Sequence, residues 1–516
     1  MISAVGASVG PMSLGASFCI FGHYGTMFSI LAVVPIVVTV ITQLVKEPNT
    51  LVVTGSDLTP NRLMEDDVVA SRTESQEATQ ACLDAIATHD DTVHAMITVT
   101  AEAALRQAEA ADKAAAQGRW LGLLHGMPMA IKDNIATAGV RTTAGSVFFT
   151  DHVPNENAPV VDRLMKAGAV MVGKATMHEF AFGIRSDNTV SPPCRNPWNL
   201  ERVPGGSSGG SGAAVASNMC VGALGSDTGG SVRLPASING ISGLRPTHGR
   251  VPSHGSTPVS PSFDTIGPMA RSVADVARIF AVIAGYDARD PHAVDRPLEN
   301  FLPRLNDGIE GVRIGLPRNF YLENLNPEIE IAVQQTVRVL EGLGANLVEI
   351  DVPGAAEMQH WATIMIFADA CAFHAERLKT HPEKFSKPVY DRMTTGHSFT
   401  AVDYANALRA REAWKNDLAR IFGEIDILLS PTLPTLVPPI AEDKSLLEAT
   451  RDATRNTYAG AFGQLPGLSV PCGFSSDGLP IGLQLEAAWW NDPLLLRAGH
   501  AYQGRTDWHL RRPPLG

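Results

Sequence analysis

The sequence predicts an α/β chain in which strands and helices alternate and pack as layers. Two observations predict it. Between residues 100 and 350, short apolar runs of strand length alternate with longer stretches whose apolar residues recur at helical spacing. The 516 residues, 45% hydrophobic and 18% charged, also have ordinary globular composition, with apolar material for one large domain or two. No internal repeat of roughly 20 to 50 residues divides the chain.

Residues 1–50 stand apart as an apolar N-terminal segment. The first 45 include no Lys, Arg, Asp or Glu, and 27–45 is long enough to cross a bilayer as a helix. Pro35 is tolerable there, and no basic region precedes the run, so a secretory signal fits poorly. Two readings stand: a membrane anchor, or sequence lying upstream of the true start, with Met64 as a candidate internal start. Residues 47–65 read as a polar linker, and 65–516 as the main domain.

Along that domain, Ala78, Ala81, Cys82 and Ile86 mark a helix over 73–88, and 101–117 is an alanine-rich helix. A turn and short strand over 121–130 deliver Lys132. Pro159 opens a helix to Ala167, Gly168 stops it, and 169–172 is a buried strand. Residues 211–218 look helical, and 221–224 form a strand. Ser272-Val-Ala-Asp275 is a capping box for a helix to Ala284. Pro327 suits the first turn of a helix to Leu343, with Val333, Val337 and Leu340 on its apolar face, and 346–350 is the next strand. Helical patterns dominate 358–422, broken near Lys387-Pro388, and read as a layer over a site. Residues 426–430 form a core strand, 431–439 a proline-rich loop, and 479–485 a late strand.

The net charge of −12 gives no electrostatic footprint for nucleic acid or an anionic membrane. Cys19, Cys82, Cys194, Cys220, Cys371 and Cys472 are scattered, which suggests reduced thiols and neither a zinc ribbon nor a CxxC redox site. No HExxH, cysteine–histidine cluster or GxxxxGK[ST] loop occurs, so neither a metal nor a cofactor is expected.

Two glycine- and serine-rich turns organise the chain: Pro204-Gly-Gly-Ser-Ser-Gly-Gly-Ser-Gly212 and Gly225-Ser-Asp-Thr-Gly-Gly-Ser-Val-Arg233. Such turns serve as linkers or present hydroxyls for chemistry. Each passes straight into an apolar run, which disfavours a linker. Upstream, Gly126-Met-Pro-Met-Ala-Ile-Lys-Asp-Asn134 is a turn and a short strand that ends on Lys132. Alone, such a lysine reads as a solvated strand end. With serines downstream it becomes a candidate base, because burial lowers a lysine's pKa and a serine hydroxyl needs activation.

In these three motifs, at intervals of 75 from Lys132 to Ser207 and 24 from Ser207 to Ser231, the chain resembles the amidase signature family, in particular its bacterial stand-alone amidases. The resemblance runs from about residue 65 to the C-terminus and is most specific over 120–285. It implies a large mixed β-sheet flanked by α-helices, with 65–516 as an amidase catalytic domain. It implies Ser231 as nucleophile, a cis Gly206-Ser207 bond, and Lys132 as a base acting through Ser207. Thr228, Gly229, Gly230 and Ser231 would form the oxyanion hole, with Ser208, Asp227 and Arg233 in support.

The expected reaction is hydrolysis of a carboxylic amide, with anilides, esters and carbamates as related substrates, through an acyl-enzyme. The alternative is the glutamine-hydrolysing A subunit of a tRNA-dependent amidotransferase. A membrane-tethered, non-enzymatic receptor is a third reading, opposed by the intact Lys132, Ser207 and Ser231. A Ser-His-Asp triad would draw on His125, His178, His248 or His254, but no GxSxG elbow contains Ser231. Phe182, Phe367 and Leu433 are the pocket candidates, with His178 as a further lining residue. The expected partner is a small amide. A homodimer is the expected assembly, and the location cytoplasmic, or membrane-associated through 27–45.

Overall fold

In the computed structural model, which describes residues 74–441 and 443–515, the predicted alternation of strands and helices is present. The described residues begin with α1 (Ser75–Val93), β1 (Met96–Val99), α2 (Ala101–Ala116), β2 (Pro128–Lys132), α3 (Pro159–Lys166) and β3 (Val170–Ala175). It continues with α4 (Gly209–Ala216), β4 (Gly222–Asp227), α5 (Arg233–Ile238), β5 (Ser242–Arg245), β6 (Thr265–Ala270) and α6 (Val273–Ile283). Then come β7 (Arg313–Pro317), α7 (Pro327–Gly342), β8 (Asn346–Ile350), α8 (Ala355–Phe373), α9 (Ala375–Thr380), α10 (Lys387–Thr394) and α11 (Ala401–Glu424). The last elements are β9 (Ile427–Pro431), α12 (Leu446–Ala453), α13 (Tyr458–Phe462), β10 (Gly467–Phe474), β11 (Pro480–Ala487) and α14 (Asp492–Gln503).

The eleven strands of the described residues join one mixed sheet, ordered β1-β3-β2-β4-β6-β5-β10-β11-β9-β7-β8. β2 lies parallel to both β3 and β4, so the two motif-bearing strands are neighbours. Apolar residues of β2 alternate between two cores. Met129 and Ile131 pack with α3 and α6, whereas Ala130 packs with α1, α2 and α4. A third core gathers α8, α11 and α13; this is the helical layer expected over 358–422, and α10 begins at the Lys387-Pro388 break with proline in its first turn.

Signals at element ends act as local chemistry predicts. Ser272 accepts a hydrogen bond from the Asp275 N–H at the start of α6, and Asn326 does the same for Glu328 before Pro327 opens α7. Five strands, β1, β5, β6, β7 and β10, were not legible in sequence. β6 is the clearest case: Pro268 pairs opposite Leu224 inside the sheet, where proline ordinarily argues against a strand. Burial on both faces stabilises β5, β6 and β10 despite their Gly and Pro.

Cys82, Cys194, Cys220, Cys371 and Cys472 are buried free thiols. Among the described residues no helix is long and apolar enough to cross a membrane. The apolar run 27–45 and Cys19 lie outside the described residues.

Candidate active site

The first serine turn is buried throughout, which removes the linker reading: Ser207, Ser208 and Ser211 have no exposed surface. Ser211 ties the turn to β4 by donating to the Leu224 carbonyl at 2.9 Å. Ser208 Oγ accepts from the Ser226 N–H and donates to the Ser226 carbonyl, both at 3.2 Å. Thus Ser208 ties the turn to β4. The Gly206–Ser207 peptide is cis. A Cβ on Gly206 would lie 2.8 Å from the backbone of Ile184, so only glycine fits ahead of Ser207.

Lys132 ends β2 fully buried. Its Nζ lies 2.8 Å from Ser207 Oγ, 2.8 Å from Ser226 Oγ and 3.5 Å from the Ser226 carbonyl. Burial lowers its pKa from the ordinary lysine range to about 7, against opposition from the charges of Asp227 and Asp264. A lysine of this pKa is substantially neutral at neutral pH and can take a proton from a hydroxyl.

The second serine turn follows β4. Ser231 is partly exposed, whereas Lys132 and Ser207 are sealed. Among the described residues no hydrogen bond joins Ser231 to Ser207, so the Lys132–Ser207 half of the expected relay is closed and the other half open. Such bonds often tighten only with substrate in place.

Asp227 shapes the turn. It accepts from the N–H of Gly230 at 2.8 Å and of Val232 at 3.2 Å. Arg233 Nε reaches it at 3.1 Å and Arg245 Nη1 at 2.9 Å. Burial pushes the Asp227 carboxyl up, but the two guanidinium groups outweigh this and hold it well below the usual carboxylate range. Asp227 and Arg233 hold the turn together with Arg245 and with Glu486, which lies 3.3 Å from Arg233 Nη1.

Engagement of the Gly230 N–H by Asp227 corrects the expected set of four oxyanion donors. That group is spent on the turn itself. The N–H groups of Gly229 and Ser231 have no partner among the described residues. The Thr228 hydroxyl donates to Asp264 at 2.5 Å. Gly229 and Gly230 are glycines for lack of room: a Cβ would lie 2.7 Å from the Tyr458 ring or 2.6 Å from Thr457 Oγ1.

The pocket candidates separate. Phe182 and Phe367 meet edge to face with ring centroids 5.1 Å apart. Leu433 packs elsewhere, with Leu234, Ile238 and Leu479. Beside the two phenylalanines lies Arg392, which no sequence pattern singled out. Its guanidinium stacks over both rings, at 4.4 and 5.0 Å, and donates to the Phe182 carbonyl at 2.6 Å. It is buried, and among the described residues no carboxylate pairs with it.

The histidines do not assemble a triad. His178 is buried, its Nδ1 accepts from the Asp187 N–H, and burial followed by the charge of Arg392 lowers its pKa to about 3. Burial lowers His248 to about 4, and its Nε2 meets the Pro261 carbonyl. Among the described residues no hydrogen bond links His125, His178, His248 or His254 to Ser231, and no three His, Cys, Asp or Glu side chains cluster as metal ligands. Ser226, Asn134 and Asp264 were also missed in sequence, because their roles come from contacts across the sheet.

Comparison with known proteins shows the family. A family model described as Amidase matches residues 77–496. The A subunit of glutamyl-tRNA(Gln) amidotransferase from Thermosynechococcus vestitus is 40% identical over 472 residues, spanning 87% of this chain and 98% of that protein. A solved structure from a vestigial protein complex, described as revealing the evolutionary origins of an s-triazine catabolic enzyme, is 34% identical with a TM-score of 0.80. It covers 84% of this chain and 96% of its own. The peptide amidase PAM, solved with the competitive inhibitor chymostatin, is 30% identical with a TM-score of 0.76, covering 86% and 96%.

Proposed function

The chain belongs to the amidase family, and on that premise we propose that it hydrolyses the C–N bond of a carboxylic amide through an acyl-enzyme on Ser231. The observation that carries this reading is the buried 2.8 Å contact between Lys132 and Ser207, beside a glycine turn with unengaged N–H groups. Neutral Lys132 takes the Ser207 proton as Ser207 takes that of Ser231. The Ser231 oxygen attacks the amide carbon, and the developing oxyanion draws on the Gly229 and Ser231 N–H groups. The proton then returns along the same path to the leaving nitrogen. Water repeats the cycle and frees the acid.

Two observations favour glutamine as the amide, with the chain working as the A subunit of an amidotransferase. The relatives at about 40% identity carry that name. Arg392, with no carboxylate of the described residues against it, also suits a substrate that brings its own. A stand-alone amidase is the second reading, favoured by the likeness to a peptide amidase.

The test has two parts. A fluorophosphonate should label Ser231, located by peptide mass spectrometry, and Ser231→Ala should abolish turnover; labelling at another serine overturns the assignment. A screen over glutamine, asparagine, aliphatic amides, anilides and aryl carbamates then decides the substrate. Glutamine turnover with KM raised at least tenfold in Arg392→Leu supports the amidotransferase reading. Turnover confined to amides without a carboxylate supports the stand-alone one.

A further inference from the structure

Asp264, at the foot of β6, belongs to none of the catalytic motifs. Its Oδ1 accepts the Thr228 hydroxyl at 2.5 Å, and its Oδ2 accepts the N–H groups of Val259 at 2.8 Å and Ser260 at 3.1 Å. Every partner is a donor, so the arrangement suits an ionised carboxylate. Asp264 also lines a small cavity together with Ser226, Asn134, Ser256 and Thr257. Ser226 is the residue whose hydroxyl meets Lys132 Nζ, and Asn134 donates to that same hydroxyl at 3.3 Å. One carboxylate therefore touches the oxyanion turn and faces the lysine's partners across a shared cavity.

We propose that Asp264 is a positioning residue that couples the two halves of the site, clamping Thr228 in the oxyanion turn and supplying a negative charge that keeps Lys132 basic enough to accept the relayed proton. Lys132 sits close to a limit. A base stripped of its water and left without a nearby anion becomes a poor proton acceptor. The charged and titratable groups around it are Asp227 from β4, Asp264 and His178. Asp227 is committed to Arg233 and Arg245. Among the described residues Asp264 forms no ion pair, although the charge of Arg245 lowers its pKa, so it is the more independent source of negative charge. Burial raises its own pKa to about 6, so it is ionised where Lys132 turns neutral. Beyond it, Ser260 donates to Asp369 at 2.5 Å and Tyr404 donates to Asp369 at 2.8 Å, which ties the clamp to α8 and α11.

The inference rests on Lys132 being the base, and the experiment separates the two claims. In the full chain, Asp264→Asn keeps the shape: its amide oxygen can accept the two backbone N–H groups while its NH₂ donates to Thr228, whose hydroxyl can turn round. Only the charge is lost. The Lys132 pKa is read directly by ¹³C NMR of ¹³Cε-labelled lysine, with the resonance assigned by its disappearance in Lys132→Gln. The rate of fluorophosphonate labelling between pH 5.5 and 9 gives the kinetic limb.

In Asp264→Asn the Lys132 pKa should fall by about half to one unit, the labelling limb should move down with it, and Asp264→Glu should restore both. An unmoved Lys132 pKa, or an equal fall in Asp264→Glu, overturns the electrostatic claim. A shifted Lys132 pKa with an unmoved labelling limb upholds it and removes Lys132 as the base. Asp264→Ala, which also releases Thr228, should lower the labelling plateau about tenfold below that of Asp264→Asn; equal plateaus overturn the clamp. Should the variants not fold, the wild-type Lys132 resonance must still show a second, smaller inflection where Asp264 takes its proton. A single inflection overturns the coupling.

Discussion

Two buried lysines lie at the ends of neighbouring strands, and only one of them faces the serines. Lys132 closes β2 and Lys174 is the penultimate residue of β3, both without exposed surface. Burial lowers both, Lys132 to about 7 and Lys174 to about 8. Their partners differ in kind. Lys174 Nζ donates to the Ile135 carbonyl at 2.5 Å and to the hydroxyls of Thr142 at 2.8 Å and Thr137 at 3.2 Å, with the charge of Asp133 close by. Three acceptors and an anion fit an ammonium. Lys132 meets two hydroxyls closely and a carbonyl only at 3.5 Å, which a neutral amine satisfies equally well. Desolvation alone therefore does not make a base; the acceptors around the nitrogen decide whether losing the proton costs a hydrogen bond.

The sharpest way to break this contrast is to delete each lysine. Lys132→Ala should lower acylation of Ser231 by about 10³-fold or more, read by stopped-flow labelling, and Lys132→Arg should do no better because guanidinium keeps its proton. Lys174→Ala should instead lower the unfolding free energy by about 3–5 kcal/mol, because Asp133 stays buried without its cation; urea unfolding measures it. Full labelling in Lys132→Ala, or full stability in Lys174→Ala, would dissolve the distinction.

The pH profile comes next. Acylation should rise through pH about 7, as Lys132 turns neutral, and Lys174→Met should leave that limb in place. A limb that moves with Lys174 would give it a share in the chemistry.

A thermodynamic signature follows. Both folded pKa values lie below the unfolded lysine value of about 10.4. Unfolding therefore takes up protons in the window between, from about 7 for Lys132 and about 8 for Lys174, and stability rises with pH there. Between pH 7.5 and 9.5, Lys132→Met should gain about 2 kcal/mol less stability than the wild type. An identical gain means Lys132 is not desolvated in the folded chain.

The smallest effect expected is that of Ser226→Ala. It removes one close partner of Lys132 and should slow acylation about tenfold with little change in melting temperature. A loss as large as that of Lys132→Ala would mean that Ser226 takes part in the relay itself.

The sequence by itself determined the parts that depend on neighbours along the chain. The alternation of elements, the cap at Ser272, the helix start at Pro327, the glycine turns and the order Lys132, Ser207, Ser231 follow from local residue chemistry and from a family pattern written in short motifs. What needs partners far along the chain was not legible. Pro268 hides a central strand, Arg392 gains meaning only from Phe182 and Phe367, and the capture of the Gly230 N–H depends on how Asp227 is held by Arg233 and Arg245. The choice between the lysines is the plainest case. In sequence Lys174 closes the apolar run Val170-Met-Val-Gly173 much as Lys132 closes its own. A bulge decides between them: Met129 pairs with Met171 but Ala130 with Gly173, so Lys174 falls beside Ile131 and not beside Lys132. Side chains alternate along a strand, so this one-residue slip sends the two lysines to opposite faces of the sheet. The bulge is held where the β1 backbone crowds Gly173, since a Cβ there would lie 2.2 Å from the Thr98 carbonyl oxygen. Only the pairing of three strands, a fact of the tertiary structure, aims Lys132 at Ser207 and turns Lys174 away.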